Sequence, residues 1–454
     1  MTPSQQVTPR GPVAPDHQQA ALPEPVACLQ PWVDAGMFDT ASVEITAAIL
    51  QLAGGPVPDN HQPDPVVLAL ALAVRAPLQG SVCVDLSAPP AVPEATDDDG
   101  ATSEVPPWPE ASAWRAALVA SSVCREPATT NSPTPTLAPP SMPPAPLVLD
   151  DTRVYLQRSW HDELVIAHRL SDLATASNTH GDAGAPEVLV ADTHLTEKQR
   201  QAIDVALCRN LTVLAGGPGT GKTHTVARML AALTITSEGP PPVVELVAPT
   251  GKAAARLAES IAAAAGGLAQ TESLRPVSVA LAGYRPRTIH RLLGSRGRAG
   301  FTHDARHPLT ADVVVVDEAS MVSAHLMARL LEALRPDARL VLVGDPDQLT
   351  SVEAGAVMAD IVRSASTHPG SDLAASVVRL EGSHRFGSDS AIGQLADAIR
   401  SGDANMVMAL LEAGSSGGGD VQWSDGDLAA DHPLVDEVAT HARQMVEHSR
   451  SADA

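Results

Sequence analysis

From residue 193 onward, short unbroken apolar runs alternate with stretches of helical periodicity. Leu211–Ala215 precedes a helix from Gly221, and 243–248 precedes one from Gly251. Val313–Val316 precedes a helix from Ser323, and 340–343 one from Ala354. Strands buried on both faces read as continuous Val, Leu and Ile rather than as an alternation. Their regular exchange with helices predicts right-handed βαβ units, and so a parallel sheet covered on both faces. The chain before residue 193 reads differently. Helical periodicity runs from Cys28, first at Ala47, Ile49, Leu50 and Leu52 and then from Val66 to Val74, and closes on a strand-like run at 81–86. Trp114 to Val123 predicts one helix. A turn at Asp150-Asp151, a short strand Arg153–Leu156 and a helix after Trp160 follow. Two tracts, 88–107 and 127–146, are too rich in Pro, Ala, Ser and Thr to pack.

Composition sharpens this picture. A hydrophobic fraction of 44% in 454 residues supports a sizeable core, but aromatics are only 2%, so the core rests on Ala, Val and Leu. Many of the 39 prolines lie in the first third, which predicts loops and linkers there. Cys28, Cys83, Cys124 and Cys208 have no C-x-x-C spacing, which argues against a metal cluster or disulfide framework and for reduced thiols in a cytoplasmic protein. No run of ~18 apolar residues predicts a membrane span. The polar start lacks the pattern of a secretory signal.

The net charge of −23 argues against a simple DNA-coating protein. Binding depends on the local patch, however, and six arginines (Arg285, Arg287, Arg291, Arg296, Arg298, Arg306) face one acid, Asp304, within a short run. That leaves a narrow DNA track possible; an exposed loop without a partner is the alternative.

The chemistry lies at the ends of the predicted strands. Gly216, Gly217, Pro218, Gly219, Thr220, Gly221, Lys222 and Thr223 fit G-x-x-x-x-G-K-[ST] between a strand and a helix. Glycines let backbone N–H groups and the helix N-terminus face the phosphates of ATP. Lys222 would reach the β- and γ-phosphates, and the Thr223 hydroxyl would hold Mg²⁺. The run Val313–Val316 ends in Asp317 and Glu318, where an open α/β sheet binds its ligand. Asp317 would sit behind Mg²⁺ and Glu318 would act as general base toward water. The strand at 340–343 delivers Gln348 to the same edge, where a glutamine can sense the γ-phosphate.

The block 195–400 resembles the superfamily 1 helicase motor and, within it, the RecD family, the alpha subunit of exodeoxyribonuclease V. Leu195-Thr196-Glu197-Lys198-Gln199 is similar to the Q-motif, which implies an adenine contact for Gln199. Ala248-Pro249-Thr250-Gly251-Lys252 resembles motif Ia and Thr288-Ile289-His290-Arg291 the motif after it, implying DNA contacts at Thr250, Lys252, His290 and Arg291. Asp317-Glu318-Ala319-Ser320 resembles motif II, and Gly344-Asp345-Pro346-Asp347-Gln348 with 351–355 resembles motif III. Ser383-His384-Arg385-Phe386-Gly387 resembles motif IV, which implies a γ-phosphate contact for Arg385. Residues 149–170 are similar to the segment RecD carries ahead of its motor.

The resemblance implies an ATP-dependent 5′→3′ DNA helicase subunit of a RecBCD-type complex. It would act on single-stranded DNA and duplex ends beside RecB- and RecC-like subunits, in double-strand-break repair and recombination. No counterparts of motifs V and VI follow, so the chain is expected to bind ATP without hydrolysing it quickly. The alternative is a truncated module that binds ATP and a partner but does not move DNA. The expected organisation is disorder over 1–25, a mainly helical domain over 26–125 with a Pro-rich insertion, and a linker over 126–146. A connecting segment (147–192), a RecA-like P-loop NTPase core of α/β class (193–375) and the start of a truncated second motor domain (376–454) complete it.

Overall fold

The computed structural model describes residues 22–55, 63–93, 106–127, 145–176, 186, 195–237, 239–297, 300–348, 354–380, 390–414, 421, 423 and 433–452. Residues 1–21 and the greater part of both Pro-rich tracts lie outside them. The 3-10 helix Glu24–Leu29 begins inside the stretch expected to be disordered, because Val26, Cys28 and Leu29 are buried.

The N-terminal helices start where a carboxylate caps them. Asp39 accepts the Ser42 N–H at the head of α1 (Thr40–Ala53), and Asp64 accepts those of Val66 and Val67 at the head of α2 (Pro65–Arg75). Every residue from Val66 to Val74 is buried, so α2 is a core helix rather than an amphipathic one. Leu52, read as part of the apolar stripe of α1, is instead 90% exposed. Helix α3 (Ala111–Ala120) starts earlier than expected, on the Glu110 cap, and buries Trp114 and Leu118.

These helices pack on a four-stranded sheet of order β1-β4-β3-β2, with β1 Cys83–Asp85, β2 Cys124–Arg125, β3 Leu147–Asp150 and β4 Arg153–Leu156. Strands β3 and β4 form an antiparallel hairpin whose turn uses Asp151 at φ 54°. They come from the expected connecting segment, yet lie between β1 and β2 of the region before it. Trp108 stacks between Trp32 and Trp114, with ring centroids 5.7 and 5.9 Å away. The N-terminal core thus holds stacked indoles in a chain poor in aromatics.

Helix α4 (Gln157–Thr175) starts directly after β4, ahead of the expected start beyond Trp160. It leads from this sheet to the next layer. The buried Asp162 carboxylate takes His325 Nδ1 at 2.8 Å and the Arg329 guanidinium at 2.9 Å. The Arg169 guanidinium donates to the carbonyls of Leu331 (3.1 Å) and Leu334 (2.9 Å).

The second sheet has the order β10-β5-β9-β8-β6-β7, with β5 Leu211–Ala215, β6 Val244–Ala248, β7 Arg287–Thr288, β8 Val313–Val316, β9 Arg339–Gly344 and β10 Val377–Arg379. All five pairings are parallel. The longer helices are α5 (Glu197–Cys208), α6 (Lys222–Ile235), α7 (Gly251–Leu268), α8 (Arg275–Gly283), α9 (Ala324–Ala333) and α10 (Val357–Thr367). Val213, Val314 and Leu342 pack on one face with residues of α4, α9 and α10. Leu214, Val315 and Val343 pack on the other with α5 to α8. Burial on both faces is what made these strands read as continuous apolar runs. Helix α10 begins three residues later than expected. Gly355 sits at φ 103°, and the Ala354 carbonyl accepts the Ala324 N–H at 3.0 Å, which holds 354–356 out of the helix.

Residues Glu381–Ala454 cluster with Pro218–Thr220 as a second compact unit. Its described helices are α11 (Ala391–Ser401), capped by Ser390 and ended by Gly402 at φ 71°, α12 (Ala404–Gly414) and α13 (Pro433–Ala452). Among the described residues no helix is long and apolar enough to cross a membrane.

Candidate functional site

In a parallel sheet the strand ends share one edge, and the turns leaving β5, β8 and β9 meet there. Gly216 N–H donates to the Gly344 carbonyl at 3.1 Å, which ties the loop after β5 to the end of β9. Gly219 and Gly221 adopt φ values of 79° and 83°, a region that disfavours residues with a Cβ. A Cβ on Gly221 would also lie 2.6 Å from Gln199 Nε2. Lys222 opens α6, and its ammonium donates to the Gly216 carbonyl at 2.6 Å and the Gly217 carbonyl at 2.9 Å. Burial pushes its pKa down, while the charges of Asp345, Glu318 and Asp317 pull it up. One ammonium, seated on two loop carbonyls, therefore feels the charge of three carboxylates. Thr223 follows it, half-buried, in the first turn of α6.

Asp317 is fixed through its backbone, whose N–H donates to the Val247 carbonyl at 2.8 Å. Burial raises its pKa to about 6; the Glu318 N–H opposes this, the Glu318 charge adds to it and Lys222 lowers it. Glu318 holds a left-handed backbone at φ 51°, ψ 41°. Such a conformation in a non-glycine residue stores ~1–3 kcal/mol and persists only where its surroundings enforce it. Here the Met321 N–H donates to the Glu318 carbonyl at 3.0 Å, closing the 3-10 turn Ala319–Met321. Gly344 makes room for that turn: a Cβ there would lie 2.6 Å from Met358 Sδ and 3.1 Å from Ser320 N.

The turn after β9 is also pinned. The Asp345 carboxylate accepts the Asp347 N–H at 3.1 Å, and the Asp345 carbonyl accepts that of Gln348 at 3.3 Å. Arg379, at the end of β10, donates to Asp347 at 2.5 Å. Gln348 is exposed. Arg385 and residues 351–353 of the expected third motif lie outside the described residues.

Gln199 occupies a different kind of position. It is buried, its Oε1 accepts the Thr196 N–H at 3.0 Å, and its own N–H donates to Thr196 Oγ1 at 3.2 Å. This is a capping box at the start of α5, for which Thr-x-x-Gln is as suitable as it is for base reading.

The residues expected to touch DNA follow β6 and β7. Thr250 caps α7 through the Ala253 N–H at 3.2 Å, and Lys252, His290 and Arg291 are exposed. The arginine run is less uniform than its charge suggests. Arg287 makes two hydrogen bonds to Glu245 (2.6 and 3.1 Å), Arg285 closes the end of α8 through the carbonyls of Ala282, Gly283 and Tyr284, and Arg296 donates to Thr302. Arg291 and Arg306 remain exposed. Arg298 lies outside the described residues. Asp345 beside Lys222, and the Arg379–Asp347 pair, were not singled out from the sequence. A Gly-Asp step closing an apolar strand could have flagged Asp345, whereas nothing local marks Arg379.

Residues 34–155 match the family described as the RecBCD enzyme subunit RecD, N-terminal domain, and 194–417 match the AAA domain family. RecBCD enzyme subunit RecD of Mycobacterium tuberculosis is 43% identical over 84% of this chain and 59% of its own length. The protein of that name from Mycolicibacterium smegmatis is 42% identical over 90% of this chain and 66% of its own length. The ATP-dependent RecD2 DNA helicase of Deinococcus radiodurans is 36% identical over 47% of this chain and 27% of its own length. The chain thus spans about six tenths of the length of the mycobacterial relatives.

Proposed function

Because the chain belongs to the RecD family, we propose that it is an ATP-dependent 5′→3′ DNA helicase subunit of a RecBCD-type exonuclease complex. The observation that carries this reading is the glycine loop after β5, tied to the end of β9 and holding the Lys222 ammonium where the charges of Asp345, Glu318 and Asp317 act on it. In such an edge Lys222 and the loop N–H groups bind the phosphates of ATP. Glu318, held in its strained backbone, orients and deprotonates the attacking water. Gln348 stands on a turn pinned by Asp345 and by the Arg379–Asp347 pair, where it reports loss of the γ-phosphate. Arg385 would add a second cation to that phosphate, and Gln199 a contact to the base.

The donors present fit Mg²⁺. Hydroxyl and carboxylate oxygens suit a hard cation, and the desolvated Asp317 carboxylate beside Glu318 would gain from a positive charge. Thr223 and Asp317 would hold the ion, which would neutralise charge on the phosphates. Thr250, Lys252, His290 and Arg291 line the path of single-stranded DNA. RecB- and RecC-like subunits complete the assembly on duplex ends during double-strand-break repair and recombination in the cytoplasm.

Lys222→Ala tests the reading. ATP affinity, followed with a fluorescent analogue, should fall at least about tenfold, since each tenfold is ~1.4 kcal/mol and a charge-assisted contact is lost. Equal affinity would refute the phosphate assignment. On the DNA side, Lys252→Ala with Arg291→Ala should flatten the salt dependence of single-strand binding by about 0.7 per phosphate released. An unchanged slope would remove these residues from the path.

A further inference from the structure

A cleft of about 1160 Å³ opens between β1, β4 and α4 on one side and α10 with the Gly355 segment on the other. It is separate from the nucleotide edge. Its volume exceeds the ~300–1,000 Å³ usual for a small-molecule pocket. Ile166, Leu170, Ile361 and Leu373 give it an apolar wall. Three carboxyls line it, Glu163 from α4, Asp360 from α10, and Asp372, which pairs with Arg209 at 3.3 Å. Asp360 already has a cation, Arg363, at 3.2 Å. Glu163 has none within ion-pair distance among the described residues. Burial, first, and the charge of Asp360 raise its pKa, while Tyr155 and Arg153, which also line the cleft, lower it.

We propose that this cleft docks a segment of a partner protein that inserts a lysine or arginine side chain against Glu163. A desolvated carboxylate is costly unless a cation pairs with it. The aliphatic stem of a basic side chain would lie along the apolar wall while its charged end reaches Glu163. The cleft's size calls for a stretch of chain around that side chain rather than a free amine. The cleft also borders elements of the parallel-sheet region. Ala324, at its edge, starts α9 just after the Asp317-Glu318 turn, and the Gly355 N–H is bonded to the Gly80 carbonyl at 3.1 Å. A docked segment would therefore rest against the start of α9 and the Gly355 segment. The proposal rests on the reading of this chain as one subunit of an assembly.

Cys83 also lines the cleft and supplies the readout. The full chain, alone or mixed with RecB- and RecC-like subunits of the same organism, is treated with iodoacetamide, and alkylation of Cys83 and Cys208 is followed by peptide mass spectrometry. Assembly should slow Cys83 alkylation at least about tenfold relative to Cys208, as expected when the site is mostly occupied. Glu163→Gln keeps the shape but removes the charge, and Glu163→Lys reverses it. Both should weaken assembly at least about tenfold, a loss typical of leaving a buried cation unpaired, with ATP-analogue binding by the free chain unchanged. A stable complex in which Cys83 reacts as fast as in the free chain would overturn the docking proposal and leave the subunit reading intact. Unchanged assembly by both variants would overturn recognition of a basic side chain. Protection of Cys83 by arginine amide alone, to the same degree, would overturn the protein partner in favour of a small cation. Failure of wild type to assemble at all would overturn the subunit reading and this proposal together.

Discussion

The two sheets of this molecule solve different problems. The central strands β5, β9 and β8 of the parallel sheet are buried on both faces, and the turns that carry its candidate chemistry lie at one edge, where they are strained or glycine-bound. The sheet β1-β4-β3-β2 has strands of two to four residues and gathers around stacked tryptophans. In the first, each turn is shaped by what it must approach: Gly344 yields to the turn after Glu318, and Gly221 to Gln199. In the second, large side chains fill the space that short strands leave. A sheet that carries chemistry keeps tight, backbone-defined turns, whereas one that supports a neighbour can rest on bulky side chains.

That contrast is sharpest at Glu318 and Trp114. Glu318→Gln should lower DNA-stimulated ATP turnover by about 10²–10⁴-fold, the usual weight of a positioned general base, and leave ATP affinity unchanged. Phosphate release under steady state is the measure; unchanged turnover would move the base elsewhere. Trp114→Ala should cost about 3–5 kcal/mol of stability, because a fully buried indole and its 2.6 Å bond to the Pro65 carbonyl are lost. Thermal melts report the loss. If ATP affinity collapsed equally, the two sheets would be one energetic unit and the distinction would fail.

A smaller effect concerns Asp317, whose pKa stands near 6 against an ordinary value of 3.8. The folded chain holds this proton more tightly than the unfolded one, so ionising Asp317 opposes folding. The penalty is absent below the ordinary value, grows between the two and is complete above about 6. In metal-free buffer, Asp317→Asn should therefore raise the melting temperature at pH 8 and leave it near wild type at pH 4. An equal gain at both values would assign the effect to packing instead. Smallest is the exposed Arg379–Asp347 pair. Arg379→Ala should cost under about 1 kcal/mol of stability. If the pair pins the Gln348 turn, it should lower kcat more than it raises KM, and an Asp347→Arg, Arg379→Asp exchange should restore part of kcat.

Much of the motor was legible because its demands are local. A strand covered on both faces must be apolar throughout, so Leu211–Ala215 and Val313–Val316 agree with the strands found. A loop that wraps phosphate must be glycine-rich, so Gly219, Gly221 and Lys222 could be read in order. Asp317 and Glu318 stood out because two acids ending an apolar run have no packing reason to be there. The short strands β7 and β10 gave no signal, since two or three residues carry no periodicity.

What the sequence determined by itself was the type of each long element and the chemistry of the residues that end it, because periodicity, glycine and charge act over a few residues. The tertiary structure alone decided which segments meet. It set β10 beside β5 and placed β3 and β4 between β1 and β2. It turned Gln199 into a helix cap, drew Arg287 to Glu245 and brought Asp345 near Lys222. Such pairings join residues far apart in the chain, and their free energy comes from burial and charge shared between elements that no local pattern encodes.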